Sequence, residues 1–127
     1  MRILVIDDDP EIRELLKQLL GPLGHEIDLA VDGQDGMRRY QDRTPDLVIT
    51  DLYMPNQEGV ETIIQLRKRC PGVRIIAMSG RFAEGAMLSV ARRAGAAVLL
   101  QKPFLPDELR RAVDVFLPVV GCAFANS

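Results

Sequence analysis

The sequence has few cysteines, no long apolar run and no excess of one charge, and each shortage excludes a class of protein. Its 2 cysteines, Cys70 and Cys122, lie far apart without metal-ligand spacing, so we expect reduced thiols in a cytoplasmic protein. No apolar run approaches the roughly 20 residues of a membrane-spanning helix, and we expect no secretory signal after Met1. The 16 Lys and Arg and the 18 Asp and Glu give a net charge of -2, which argues against direct binding to nucleic acid or membrane insertion.

What is present is the composition of an ordinary globular domain, 47% hydrophobic and 27% charged. The 127 residues suffice for one domain with a substantial core and are too few for a two-domain enzyme. We assign residues 1–117 to this domain. The apolar segment 118–127 has no periodicity and remains unassigned.

Five short apolar runs alternate with helical patterns along the chain. The expected strands are residues 3–6, 27–31, the run between Pro45 and Pro55 that carries Asp51, 73–78 and 97–100. A last helix is predicted to place five apolar residues on one face, namely Leu109, Ala112, Val113, Phe116 and Leu117. This alternation predicts an α/β, doubly wound (βα)5 domain of flavodoxin-like topology, with a parallel five-stranded sheet of order 2-1-3-4-5.

Polar side chains follow four of the expected strands, at the edge where such sheets form their sites. They are Asp7 and Asp8 after the first strand, Asp51 after the third, Ser79 after the fourth and Lys102 after the fifth. Each alone has an ordinary explanation, as a helix cap, a turn residue or a surface charge. Their coincidence at the ends of adjacent strands favours one shared site.

Carboxylates that converge at one edge repel one another, so the site requires positive charge. Mg²⁺ is the natural cation, because it prefers oxygen ligands and is usually held by one or two carboxylates. We expect Asp8 to bind the metal directly, Asp7 to reach it through water, and Asp51 to attack phosphorus. Lys102 and the Ser79 hydroxyl would then stabilise the phosphoryl oxygens. The residues therefore predict phosphoryl transfer to an aspartate.

Together these pieces resemble the receiver domain of two-component response regulators, in its chemotaxis-type single-domain form. The motifs are Asp7-Asp8, Leu47-Val48-Ile49-Thr50-Asp51 with Met54-Pro55 and Gly59, then Ser79, then Lys102-Pro103-Phe104. The resemblance implies that Asp51 is the phospho-acceptor, Ser79 the switch hydroxyl and Lys102 the essential lysine. It also implies that Mg²⁺ is bound by Asp7, Asp8, Asp51 and the backbone carbonyl of Tyr53, and that the Lys102-Pro103 bond is cis.

The resemblance also implies partners. A histidine kinase or a histidine phosphotransfer protein would donate the phosphoryl group, in trans because His25 is the only histidine and has no helical dimerisation segment around it. The domain would not be an enzyme, although it would assist its own phosphorylation and dephosphorylation. Its output would pass to a downstream protein or an attached output domain.

The sequence departs from the family's pattern at Leu99. Family members usually carry Tyr or Phe three residues before the lysine, where the ring moves inward on activation. An aliphatic side chain cannot make that movement, so we expect the loop after the fourth strand to carry the change instead. Tyr53 and Arg81 occupy positions that in the family modulate access of the hydrolytic water.

Two other classes of function fit parts of the sequence. In an aspartate-nucleophile hydrolase of the haloacid dehalogenase type, Asp7 would attack and Asp9 would act as acid, but Glu11 stands where Thr or Val is expected. A non-phosphorylated interaction module would retain the fold without the chemistry, and Mg²⁺ binding would distinguish it. A flavin carrier is disfavoured, because an acidic first turn would repel a phosphate.

Overall fold

The structure, a computed structural model, describes residues 1–52, 59–80 and 85–117. The strands are β1 (Arg2–Ile6), β2 (Glu26–Ala30), β3 (Leu47–Asp51), β4 (Ile75–Ser79) and β5 (Val98–Gln101). The helices are α1 (Pro10–Leu20), α2 (Gly33–Asp42), α3 (Gly59–Arg69), α4 (Gly85–Ala94) and α5 (Pro106–Asp114), with a 3-10 turn at Gly21–Leu23. The strands form one sheet of order β2-β1-β3-β4-β5, and all pairs are parallel. The predicted topology is confirmed.

Acidic caps begin the first two helices. The Asp9 side chain accepts a hydrogen bond from the Glu11 amide at 2.9 Å, and Pro10 opens α1 with a backbone angle that already suits a helix. The Asp32 side chain accepts from the Asp35 amide at 2.8 Å and starts α2 in the same way. These caps fix where the chain leaves β1 and β2.

The sheet is covered on both faces, because alternate residues of its central strands point to opposite sides. One face packs against α1 and α5, through residues that include Ile3, Val5, Ile49, Leu16 and Leu109. The other face packs against α2, α3 and α4, through residues that include Leu4, Ile6, Val48, Ile63 and Ala91. The side chains of β3 and β4 are buried throughout, which makes these strands a rigid support for the residues at their ends.

Several predicted boundaries differ from the structure. The strands expected at residues 73–78 and 97–100 are observed at Ile75–Ser79 and Val98–Gln101. The second strand begins at Glu26 and ends at Ala30, because the Val31 amide bonds instead to the Asp35 side chain and Val31 is exposed. The last helix ends at Asp114, so Leu117 is not part of its apolar face and is 43% exposed. Segment 118–127 and Cys122 lie outside the described residues.

Within the stretches that the structure describes, no helix is both long enough and apolar enough to span a membrane.

Candidate functional site

The carboxyl ends of β1 and β3 bring three carboxylates together. The strands pair with Ile6 opposite Thr50, so Asp7 and Asp51 follow at neighbouring positions at the same edge. One side-chain oxygen from each of Asp7, Asp8 and Asp51 lies within 4.8 Å of the other two. Asp7 and Asp51 are buried and Asp8 is exposed, so the cluster opens to solvent on one side.

Lys102 provides positive charge to this cluster from the end of β5. Its Nζ donates to Asp7 Oδ2 at 2.7 Å and lies 3.6 Å from Asp51 Oδ2. The Lys102 amide also donates to the Ser79 carbonyl at 2.6 Å, which holds the base of the lysine against the end of β4. The Lys102-Pro103 bond is cis, as the resemblance implied. The ammonium group thus lies between two carboxylates and closer to Asp7.

Asp7 is the most enclosed member of the cluster, with no exposed surface. Its Oδ1 accepts from the Asp9 amide at 2.9 Å, and its Oδ2 accepts from Lys102. Burial raises the pKa of Asp7 above its ordinary value and outweighs the hydrogen bonds from Lys102 and Asp9, which lower it; the negative charge of Asp8 raises it further. A cation bound here would favour the ionised carboxylate.

The chain around Asp51 is held by main-chain contacts. The Leu52 amide donates to the Met78 carbonyl at 2.9 Å and continues the ladder between β3 and β4. The Gly59 amide donates to the Leu52 carbonyl at 3.0 Å, so α3 begins directly against the end of β3. A Cβ on Gly59 would overlap the Asp51 carbonyl oxygen and lie 2.5 Å from Leu52 Cα. Only glycine permits this close approach.

Ser79, the last residue of β4, completes the predicted set. It is 2% exposed and lies opposite Gln101 in the sheet, one position beyond the level of Asp51. The structure thus places Asp7, Asp8, Asp51, Ser79 and Lys102 at one edge of the sheet. Tyr53, the predicted carbonyl ligand, and Arg81 lie outside the described residues.

Two residues near this edge were missed by sequence reasoning. Arg13 Nη1 of α1 donates to the Asp7 carbonyl at 2.7 Å. Asp35 of α2 accepts from the Val31 amide at 3.0 Å and pairs with Arg38 and Arg39 at 3.0 and 3.3 Å. A signal for Asp35 was present, because an acid three residues after an N-cap often bonds back to the start of its helix. Arg13 carried no comparable signal.

The donor set fits a small, hard divalent cation. Three carboxylates offer only oxygen ligands, two of them are buried, and a single lysine accompanies them. Mg²⁺ prefers such oxygens and usually keeps several waters, which the open side at Asp8 would admit. The cluster can therefore hold a metal ion with the Asp51 carboxylate beside it.

Comparisons with known proteins agree with this geometry. The family described as response regulator receiver domain matches residues 3–114. The chemotaxis protein CheY of Thermotoga maritima is 32% identical over 114 residues, which are 89% of this chain and 94% of that protein. The DNA-binding transcriptional regulator NtrC of Azospirillum brasilense is 39% identical over 112 residues, 88% of this chain but 23% of that protein. A solved receiver domain protein (CheY-like) from Methanospirillum hungatei has a TM-score of 0.89 at 28% identity, covering 96% of this chain and 97% of that one.

A doubly wound sheet with an acidic cluster and a lysine at its carboxyl edge defines a class of signalling module. The chain belongs to the receiver domains of two-component response regulators. It spans nearly the whole length of some relatives and a quarter or less of others.

Proposed function

We propose that this receiver domain accepts a single phosphoryl group on Asp51, in a Mg²⁺-dependent reaction, and thereby switches contacts between proteins. The observation that carries the proposal is the position of Asp51 at the buried end of β3, with Lys102 Nζ 3.6 Å from its Oδ2 and two further carboxylates beside it. Asp7 and Asp8 are the residues that would hold the metal, together with Asp51 and the Tyr53 carbonyl.

The transfer needs a nucleophile, charge neutralisation and a leaving group. An Asp51 carboxylate oxygen attacks phosphorus of a phosphohistidine, the phosphorus–nitrogen bond breaks, and the donor imidazole leaves and takes up a proton from solvent. When bound, Mg²⁺ supplies charge neutralisation of the phosphoryl oxygens. Lys102 stabilises one of these oxygens with its ammonium group, and the Ser79 hydroxyl donates to another. The same groups assist a second reaction, in which water attacks phosphorus, the bond between phosphorus and the Asp51 oxygen breaks, and inorganic phosphate and the free carboxylate are released. The domain thereby promotes its own dephosphorylation without acting on a separate substrate.

The phosphoryl group comes from another protein. His25 precedes β2 and lies at the opposite edge of the parallel sheet from Asp51, where its Nδ1 is 3.0 Å from the Met1 amino group. It cannot reach Asp51, which supports a histidine kinase or a histidine phosphotransfer protein as donor in trans. We assign the domain to residues 1–117, and we expect the protein to act in the cytoplasm. Its output passes to a downstream protein or attached output domain, without direct nucleic-acid contact or membrane insertion.

The environment of Leu99 bears on how the switch is transmitted. Leu99 lies opposite Ala77 in the sheet and is half-buried against the core on the α4 side. We propose that the chain following Ser79, rather than the side chain of residue 99, carries the change to the surface.

Attack by Asp7, the hydrolase alternative, is disfavoured by its contacts. Both Asp7 oxygens already accept hydrogen bonds, and the Asp9 side chain that would act as acid caps α1 instead.

The proposal is tested by incubating the protein with acetyl phosphate and Mg²⁺ and measuring its intact mass. We expect the mass of one phosphoryl group on the wild type and none on Asp51→Asn. Asp42→Asn, which removes an exposed carboxylate on α2, is the matched control and should be modified like the wild type. An undiminished mass gain in Asp51→Asn, or a phosphoryl group mapped to Asp7, would refute the assignment. Omission of Mg²⁺ should abolish the gain.

A further inference from the structure

Arg13 reaches back from α1 to the turn that carries the acidic pair. Its Nη1 donates to the Asp7 carbonyl oxygen at 2.7 Å, across six residues of chain, and the side chain is half-buried. A guanidinium group presents its donors in a fixed planar arrangement, which suits a carbonyl acceptor that is held in one place.

The Asp7 carbonyl lies at the point where the chain leaves the sheet. The Asp7 amide donates to the Ala30 carbonyl at 3.1 Å, and Ala30 is the last residue of β2. Beyond it, the chain turns through Asp8 and Asp9 into α1. The Asp7 amide is thus held by the main chain of β2, and the Asp7 carbonyl is held by the side chain of Arg13.

The supported carbonyl belongs to the peptide unit that joins Asp7 to Asp8. This unit is planar, so a hydrogen bond that holds its carbonyl also holds the two Cα atoms from which the acidic side chains extend. Asp7 has further anchors, because its carboxylate contacts the Asp9 amide and Lys102. Asp8 is exposed, and Arg13 constrains its orientation through this shared peptide plane.

We propose that Arg13 is a positioning residue of the cation site, which sets the two acidic side chains toward each other before a metal binds. Arg13 does not touch the carboxylates; it acts through the peptide unit between them. The inference rests on the proposed function, because it assumes that the cluster binds Mg²⁺. Residues that orient metal ligands typically contribute about 10- to 100-fold to metal affinity.

The test is isothermal titration calorimetry of Mg²⁺ into the wild type and Arg13→Met, at a temperature where melting curves in EDTA show both to be folded. We expect the dissociation constant to rise about tenfold in Arg13→Met. Lys17→Met removes the same charge from an exposed position one turn further along α1, and should bind within about twofold of the wild type. Equal weakening in Lys17→Met would show that the net charge of α1, rather than the hydrogen bond, is responsible.

A second variant separates positioning from charge. Arg13→Lys keeps the positive charge but loses the planar donor, so it too should bind Mg²⁺ more weakly than the wild type. Full affinity in Arg13→Lys or in Arg13→Met would overturn the inference, as would a lowered melting temperature with unchanged Mg²⁺ affinity. Failure of the wild type to bind Mg²⁺ would instead overturn the proposed function, and this inference with it.

Discussion

Replacement of Gly59 by alanine tests the contact between α3 and the strand that carries Asp51. The added Cβ would overlap the Asp51 carbonyl oxygen and lie 2.5 Å from Leu52 Cα and 2.8 Å from the Asp51 carbonyl carbon. These are main-chain atoms of β3 and its exit, so no side-chain rotation can relieve the overlap. Either α3 or the end of β3 must move, by roughly 1 to 1.5 Å to restore ordinary contact distances.

The cost in stability follows from two opposing effects. Overpacking against atoms that cannot rotate away costs typically 1–3 kcal/mol, and we expect the upper part of that range here. Alanine is a better helix former than glycine, which offsets at most about 1 kcal/mol. The overlap therefore dominates, and we expect a net loss of about 2 kcal/mol in the free energy of unfolding. For a domain of this size, such a loss lowers the melting temperature by about 8 °C.

Thermal denaturation followed by circular dichroism would measure this effect, with Gly72→Ala as the matched control. Gly72 has no heavy atom within 4 Å of the added Cβ, so that variant should be unchanged or up to about 1 kcal/mol more stable. Because a shift of about 1 Å at a reacting group can cost about 100-fold in rate, Gly59→Ala should also accept phosphoryl groups from acetyl phosphate 10- to 100-fold more slowly. Equal melting temperatures for Gly59→Ala and Gly72→Ala would contradict the close approach.

Two further predictions concern α2 and Leu99. Burial acts to raise the pKa of Asp35, but hydrogen bonds from Val31, Arg38 and Arg39 prevail and lower it below its ordinary value of 3.8. The contribution of Asp35 to stability is therefore fully present above pH 3.8 and is lost as the pH falls through the lowered pKa. Asp35→Asn should therefore cost about 1–2 kcal/mol at neutral pH in urea denaturation and less at about pH 3, whereas a pH-independent difference would contradict this. In crystal structures with and without beryllofluoride, we expect Leu99 to keep one rotamer while the chain after Ser79 moves; a rotamer change at Leu99 would exclude that mechanism.

The parts of the fold that sequence patterns predicted are those decided by local periodicity. The apolar run of β3 and the alternation of strands with helices indicate a parallel sheet covered by helices, and both were visible in the sequence. The ends of elements were less predictable, because tertiary contacts decide them. At Val31 the amide donates to the Asp35 side chain, and β2 ends one residue earlier at Ala30.

The composition of the site was predictable, but its internal pairing was not. Strand order alone brings Asp7, Asp51 and Lys102 to one edge. Which carboxylate the lysine contacts depends on side-chain reach across β4, and the shorter contact is to Asp7 at 2.7 Å. Arg13 was missed for a related reason, because its partner is a main-chain carbonyl, which no sequence pattern distinguishes.

The contact between Lys102 and Asp7 joins residues 95 positions apart. During translation, the acidic residues therefore leave the ribosome well before the lysine that partly neutralises them. Pairing of β5 with β4 brings Lys102 to the cluster, so a nascent chain that ends before β5 has the acceptor carboxylate but lacks its ammonium group. The carboxylate cluster therefore remains without this compensating charge until nearly the whole domain has been synthesised.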